Sequence, residues 1–259
     1  MERMYYEVHD GNGPYLLLIH GMLSSRAQWT RNLAALSTRT RPVVMELWGH
    51  GRSPSPSDPV MYEPEAMAAQ LDQTRRELGA DKWFVCGQSF GATVTLRYSL
   101  LYPEHVIGQI FTNSTSALAT PEKVKEIYAD VNRLAGNLAK NGQEGLKRMR
   151  IHPIHAKRLP PGAQQELIAD AHLLNPLGIA NLFQMTSPNA SLSEIVHNTK
   201  VPTLLVAGEQ EARFVEHRKY AEANIPGLKV AGVDGGHACN IEAAAEFNAA
   251  VLEFVQRHS

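Results

Sequence analysis

The sequence predicts an α/β fold, with a mostly parallel sheet, helices on both of its faces and a helical insertion. Three observations carry this reading. Short apolar runs alternate with longer amphipathic segments, turn-forming residues mark the changes between them, and the alternation stops over one long stretch before it resumes.

In chain order, Gly11-Asn12-Gly13-Pro14 forms a turn leading into the apolar run 15–19, YLLLI, which has the length of a buried strand. An amphipathic segment at 26–36 follows, then a second strand-like run at 42–47 and a Pro/Ser-rich loop at 53–59. A helix over 64–78 leads to the run 83–86, WFVC, and a helix over 91–101 leads to the run 106–112. Later, 203–207 and 229–233 read as strands, with helices over 214–223 and 243–257. Residues 117–200 hold helical patterns interrupted by Gly and Pro with no strand-like run among them. They predict a helical cap inserted into a core made of 1–116 and 201–259, placed to cover the carboxyl ends of the strands, where open α/β sheets bind ligands.

Composition narrows the function classes. With 259 residues, 44% hydrophobic and 20% charged, the chain can bury a large core. A formal charge of -1 supplies no field to recruit nucleic acid, so no nucleic-acid partner is expected. Two cysteines, Cys86 and Cys239, cannot make a disulfide framework and lack the CxxC spacing of a zinc site, so both read as small buried thiols. No stretch reaches the roughly 18 to 20 apolar residues that span a bilayer. Residues 1–10 lack the apolar centre of a signal peptide, and a cytoplasmic protein without a membrane partner is expected.

The chemistry gathers on loops that follow strands. Gly87-Gln88-Ser89-Phe90-Gly91 sits between a strand and a helix, the context in which a G-x-S-x-G turn lifts a serine hydroxyl above the sheet. Small flanking residues let the chain pass close enough to hold that strained turn. The helix behind it offers free amides, among them that of Phe90, to negative charge developing on a substrate oxygen. A second amide is assigned to Met22, in His20-Gly21-Met22 at the end of the first apolar run; the His20 side chain reads as structural. A serine needs a base, and His237, in the turn Asp234-Gly235-Gly236-His237 after the last strand-like run, is placed to reach back over the sheet. The base needs a carboxylate between the two in chain order. Glu211 is preferred, with Glu209 the competitor on the same loop.

Together these residues resemble the α/β-hydrolase family, in particular its capped branch of carboxylesterases, lactonases and meta-cleavage-product C–C hydrolases. His20-Gly21 looks like the family's oxyanion loop, Gly49-His50-Gly51-Arg52-Ser53 like its G-x-G-x-S loop, and 87–91 like its nucleophile elbow. Glu211 and Glu46 stand where the family usually has Asp. The resemblance implies an acyl-enzyme formed on Ser89 and released by water activated through His237, with no metal or organic cofactor and a small acyl compound as substrate. Ester or lactone hydrolysis is the leading reading; C–C bond hydrolysis of a vinylogous keto acid, and a slow or non-catalytic ligand receptor, are the alternatives. Within the cap, Leu134, Met149, Leu182, Phe183 and Met185 are expected to present apolar surface to substrate. The basic residues Lys147, Arg148, Arg150, Lys157 and Arg158 read as a solvated helix face rather than as attraction for an acidic substrate.

Overall fold

The computed structural model describes residues 2–259. Seven strands form one sheet in the order β1-β3-β2-β4-β5-β6-β7. They are β1 (Tyr6–Val8), β2 (Tyr15–Ile19), β3 (Arg41–Met45), β4 (Trp83–Gly87), β5 (Val106–Phe111), β6 (Thr203–Gly208) and β7 (Lys229–Val233). β1 runs antiparallel to β3, and every other neighbouring pair is parallel. A parallel sheet must be covered on both faces, so its inner strands are mostly apolar instead of alternating. Every residue of β4 and β6 is buried.

Successive side chains of β2 feed opposite faces. Leu17 and Ile19 join Val43, Met45 and Val85 beneath Met67, Leu71, Val94 and Tyr98, which come from α2 (Pro64–Glu77) and α3 (Phe90–Leu101). Leu16 and Leu18 join Val44, Phe84 and Ile110 on the other face. That face is covered by Leu36 of α1 (Thr30–Leu36) and by Phe247, Val251 and Phe254 of the C-terminal helix. Each fully buried aliphatic side chain contributes about 1.5–3 kcal/mol, so the two faces hold the sheet jointly.

Between β5 and β6 there is no strand. The segment forms α4 (Thr115–Leu118), α5 (Pro121–Ile127), α6 (Val131–Lys147), α7 (Pro161–Asp170) and α8 (Pro176–Asn181), joined by short 3₁₀ turns and, at Leu182–Thr186, a π-helical turn. α6 bends at Gly142, whose φ of +53° suits a residue without a β-carbon. After β6 come α9 (Val215–Asn224), β7, α10 (Cys239–Glu242) and α11 (Ala244–His258). Among the described residues no helix is long and apolar enough to cross a membrane.

Three local expectations differ from what is observed. β1 gave no sequence signal, because it is three residues long and its pattern is not apolar. β3 stops at Met45, since Glu46 and Leu47 leave the ladder for a loop. The segment 26–36 divides into a 3₁₀ turn, Arg26–Trp29, and α1, with Ser25 Oγ accepting from the Ala27 amide at the entry.

Cys86 on β4 and Cys239 in α10 are both free and buried. Burial pushes the Cys86 thiol well up, and burial with the nearby Glu242 and Glu211 charges pushes Cys239 up to about 12. Since the thiolate is the reactive species, iodoacetamide at mildly alkaline pH should leave the native protein unmodified and label both cysteines in urea. Intact mass spectrometry reads the result.

The chain passes from β2 to β3 on one side and returns to β4 on the other. Loops leaving the carboxyl ends of β2 and β4 therefore part in opposite directions and open a crevice between them.

Candidate active site

β4 ends at Gly87, α3 begins at Phe90, and Ser89 lies between them at φ +52°, ψ −113°. A side chain at such an angle costs on the order of 1–3 kcal/mol and persists only where the surroundings enforce it. Here packing enforces it. A β-carbon on Gly91 would run into the backbone oxygens of Ile19 and His20, and one on Gly87 into the first turn of α3. The turn thus lies directly against the end of β2 and carries the hydroxyl into the crevice.

His237 stands on the turn between β7 and α10, with Nε2 2.8 Å from Ser89 Oγ. Its Nδ1 lies 3.0 Å from both carboxylate oxygens of Glu211, three residues beyond β6. Nδ1–H donates to the carboxylate, which leaves the Nε2 lone pair to accept the serine proton. Asn113, just past β5, donates from Nδ2 to Glu211 Oε2 (2.8 Å), and also bonds both the carbonyl and the amide of Gly208. One side chain therefore orients the carboxylate and fixes the strand end that carries it. Burial acts to raise the Glu211 pKa, but the hydrogen bonds from His237 and Asn113, with the His237 and Arg213 charges, hold it below the usual carboxylate value. Glu209 turns away to pair with Arg218 at 3.3 Å and is 59% exposed.

The amides of Met22 and Phe90 donate to no group among the described residues, and both residues line the same cavity as Ser89. The loop bearing Met22 is held by two neutral histidines. His50 Nε2 accepts from the Leu23 amide (3.0 Å) while its Nδ1–H donates to the Trp48 carbonyl. His20 Nε2 accepts from the Leu47 amide while its Nδ1–H donates to the Gly21 carbonyl. Burial pushes both imidazoles below their ordinary value, which keeps each ring nitrogen in the role its bond requires. Glu46, fully buried, accepts from the amides of Arg26 (3.0 Å) and Arg52 (2.6 Å). Its extra methylene fits because Gly51 beside it has no β-carbon to oppose the carboxylate.

Three further side chains tie the loops together. Gln88 Nε2 donates to the His237 carbonyl at 2.9 Å. Glu242 accepts from the amides of Gly236 (3.0 Å) and Ala238 (3.2 Å), bracketing His237 on both sides. Arg158, from the helical insert, donates to Glu242 through Nε at 2.9 Å and to Gln210, the neighbour of Glu211. From sequence, Gln88 stood out only as part of the serine turn and Arg158 only among basic residues read as a solvated face; Glu242 was not marked, though its position five residues past the histidine offered a signal.

Above the serine lies a cavity of about 530 Å³. Of the five apolar insert residues expected there, Phe183 lines it and Leu134, Met149, Leu182 and Met185 do not. Leu182 is fully buried in the core cluster and the other three pack against that cluster, because the apolar faces of α6 and of the turn after α8 meet each other and the sheet. The wall is built instead by Ser116, Tyr128 and residues 150–153 and 155–159. The basic residues read as a solvated face are divided: Arg150, Lys157 and Arg158 line the cavity, while Lys147 and Arg148 do not.

A profile described as alpha/beta hydrolase fold matches residues 14–244. The chain belongs to the α/β-hydrolase fold family. This α/β hydrolase is 25% identical to the carboxylesterase YbfK of Bacillus subtilis (strain 168), over 94% of its own length and 81% of that protein's. It superposes on MenH from S. aureus with a TM-score of 0.86 at 20% identity, covering 98% of each chain. On a thermophilic esterase from Thermogutta terrifontis the TM-score is 0.81 at 24% identity, covering 99% of this chain and 94% of the other. These superpositions show a shared fold. In this α/β hydrolase the carboxylate beside the histidine is a glutamate, Glu211.

Proposed function

We propose that this α/β hydrolase cleaves small to medium carboxylic esters or lactones through an acyl-enzyme on Ser89. The observation that carries the reading is the unbroken hydrogen-bond line from Ser89 Oγ through His237 to Glu211, which opens on a cavity of about 530 Å³. That volume lies within the roughly 300–1,000 Å³ range of small-molecule sites.

The substrate carbonyl carbon meets Ser89 Oγ as His237 Nε2 takes the serine proton. The electron pair moves to the carbonyl oxygen, where the free amides of Met22 and Phe90 stabilise the oxyanion. Collapse expels the alkoxide, which receives the proton from His237 and leaves an acyl-serine. Water then gives its proton to Nε2 and attacks the acyl carbon; collapse expels Ser89 Oγ, which takes that proton back from His237 as the acid leaves. Glu211 holds the imidazole in the productive tautomer and offsets its charge each time it is protonated. The insert acts as a cap that sets which acyl groups fit.

The test is treatment of the purified protein with a fluorophosphonate, read by intact mass and peptide mapping, beside turnover of 4-nitrophenyl acetate. One adduct at Ser89 with repeated turnover is expected. No adduct and no turnover would retire the enzyme reading in favour of a ligand receptor on the same fold.

A further inference from the structure

We propose that the substrate carries an anionic group, a carboxylate in the simplest case, which the 150–157 segment of the insert binds while the reacting carbonyl sits at Ser89. This rests on the serine-hydrolase reading and adds a substrate class to it. The first observation is the charge of the cavity wall. Three cations line it, Arg150, Lys157 and Arg158, against one carboxylate, Glu242. Arg158 and Glu242 pair with each other at 2.9 Å. Arg150 and Lys157 have no carboxylate within 4.0 Å among the described residues, so the wall keeps an excess of positive charge.

The second observation is His152, on the same wall and only 3% exposed. Its Nδ1 accepts from the Ile154 amide, which places the proton of the neutral ring on Nε2. Nε2 has no hydrogen-bond partner among the described residues. Burial, with the neighbouring His155 and Lys147, lowers the His152 pKa and favours this neutral donor form. Nε2 is not one of the enclosed unpaired polar atoms, so it opens onto the cavity, where a ligand oxygen can accept its hydrogen bond. The apolar part of the cavity lining includes Tyr128, Leu159, Phe183 and Ile241, which suit a short aliphatic spacer. An uncharged acyl chain would instead leave the two cations and the imidazole donor without a ligand partner.

The experiment compares kcat/KM for the 4-nitrophenyl hemiester of adipic acid with that for 4-nitrophenyl hexanoate, which has a methyl where the other has a carboxylate. Uncatalysed rates are subtracted. A ratio of about tenfold or more in favour of the hemiester is expected, arising mainly in KM and falling as salt is added. In the double variant Arg150→Gln, Lys157→Gln, both exposed positions, the ratio should fall towards one. A wild-type ratio at or below one, or an unchanged ratio in the double variant, overturns the proposal and leaves the serine-hydrolase reading standing. Hydrolysis of neither ester overturns both.

Discussion

Ser89→Ala is expected to lower kcat by on the order of 10⁵–10⁶, and His237→Ala by a similar factor, with the protein still folded. Each removes one end of the 2.8 Å contact through which the hydroxyl becomes a nucleophile. Because the two groups act as a unit, the double variant should be no slower than either single one. Residual catalysis from the amides of Met22 and Phe90 and from binding should remain above the rate in buffer. Alanine at 89 keeps the backbone of the turn and buries no new group, so thermal melting should change little. Turnover within about tenfold of wild type in a folded, contaminant-free Ser89→Ala preparation would remove the serine from the mechanism.

Glu211→Gln is expected to lower kcat by about 10³–10⁴, a loss of about 4–5 kcal/mol in transition-state stabilisation, with KM little changed. An amide can present its NH2 to His237 Nδ1 and so select the wrong tautomer, and it cannot offset the imidazolium. Glu209→Gln, which removes only an exposed pair with Arg218, should stay within about twofold of wild type. The reverse ranking would move the acid to Glu209. The same substitution has a signature in stability. The folded Glu211 pKa lies below its unfolded value, so the group contributes stability above the ordinary carboxylate range and loses it as pH falls through the depressed value. Glu211→Gln should flatten that acid limb of the stability curve, measured by urea denaturation from about pH 5 downward.

The parallel sheet was legible because buried central strands leave continuous apolar runs. The elbow was legible because its chemistry forces a short local pattern, with glycines where neighbouring backbone leaves no room. β1 was not, since a three-residue edge strand is specified by its pairing of Tyr6 with Met45 and not by its own residues. The choice between Glu211 and Glu209 depended on where the chain leaves β6, which is decided by Asn113, nearly a hundred positions away in sequence. The cavity wall was the least legible part. Leu134, Met149, Leu182 and Met185 follow the rule that apolar helix faces seek one another, and that rule takes them away from the ligand space. The wall came instead from an irregular stretch whose charges looked like ordinary surface. Periodicity describes packing, and a ligand pocket is where packing stops.

Arg158 has a consequence for how such an enzyme diversifies. Exchange of the whole insert is the obvious route to a new substrate range, in nature or by design, because the segment starts and ends at neighbouring strands of the sheet. In this chain the exchange would also unfasten a buckle. Glu242 would lose its cation while still bearing the amides on either side of His237, and Gln210 would lose the contact next to Glu211. A transplanted insert must therefore restore a guanidinium at that point, or arrive with its own means of steadying the histidine turn, before its new pocket can be put to use.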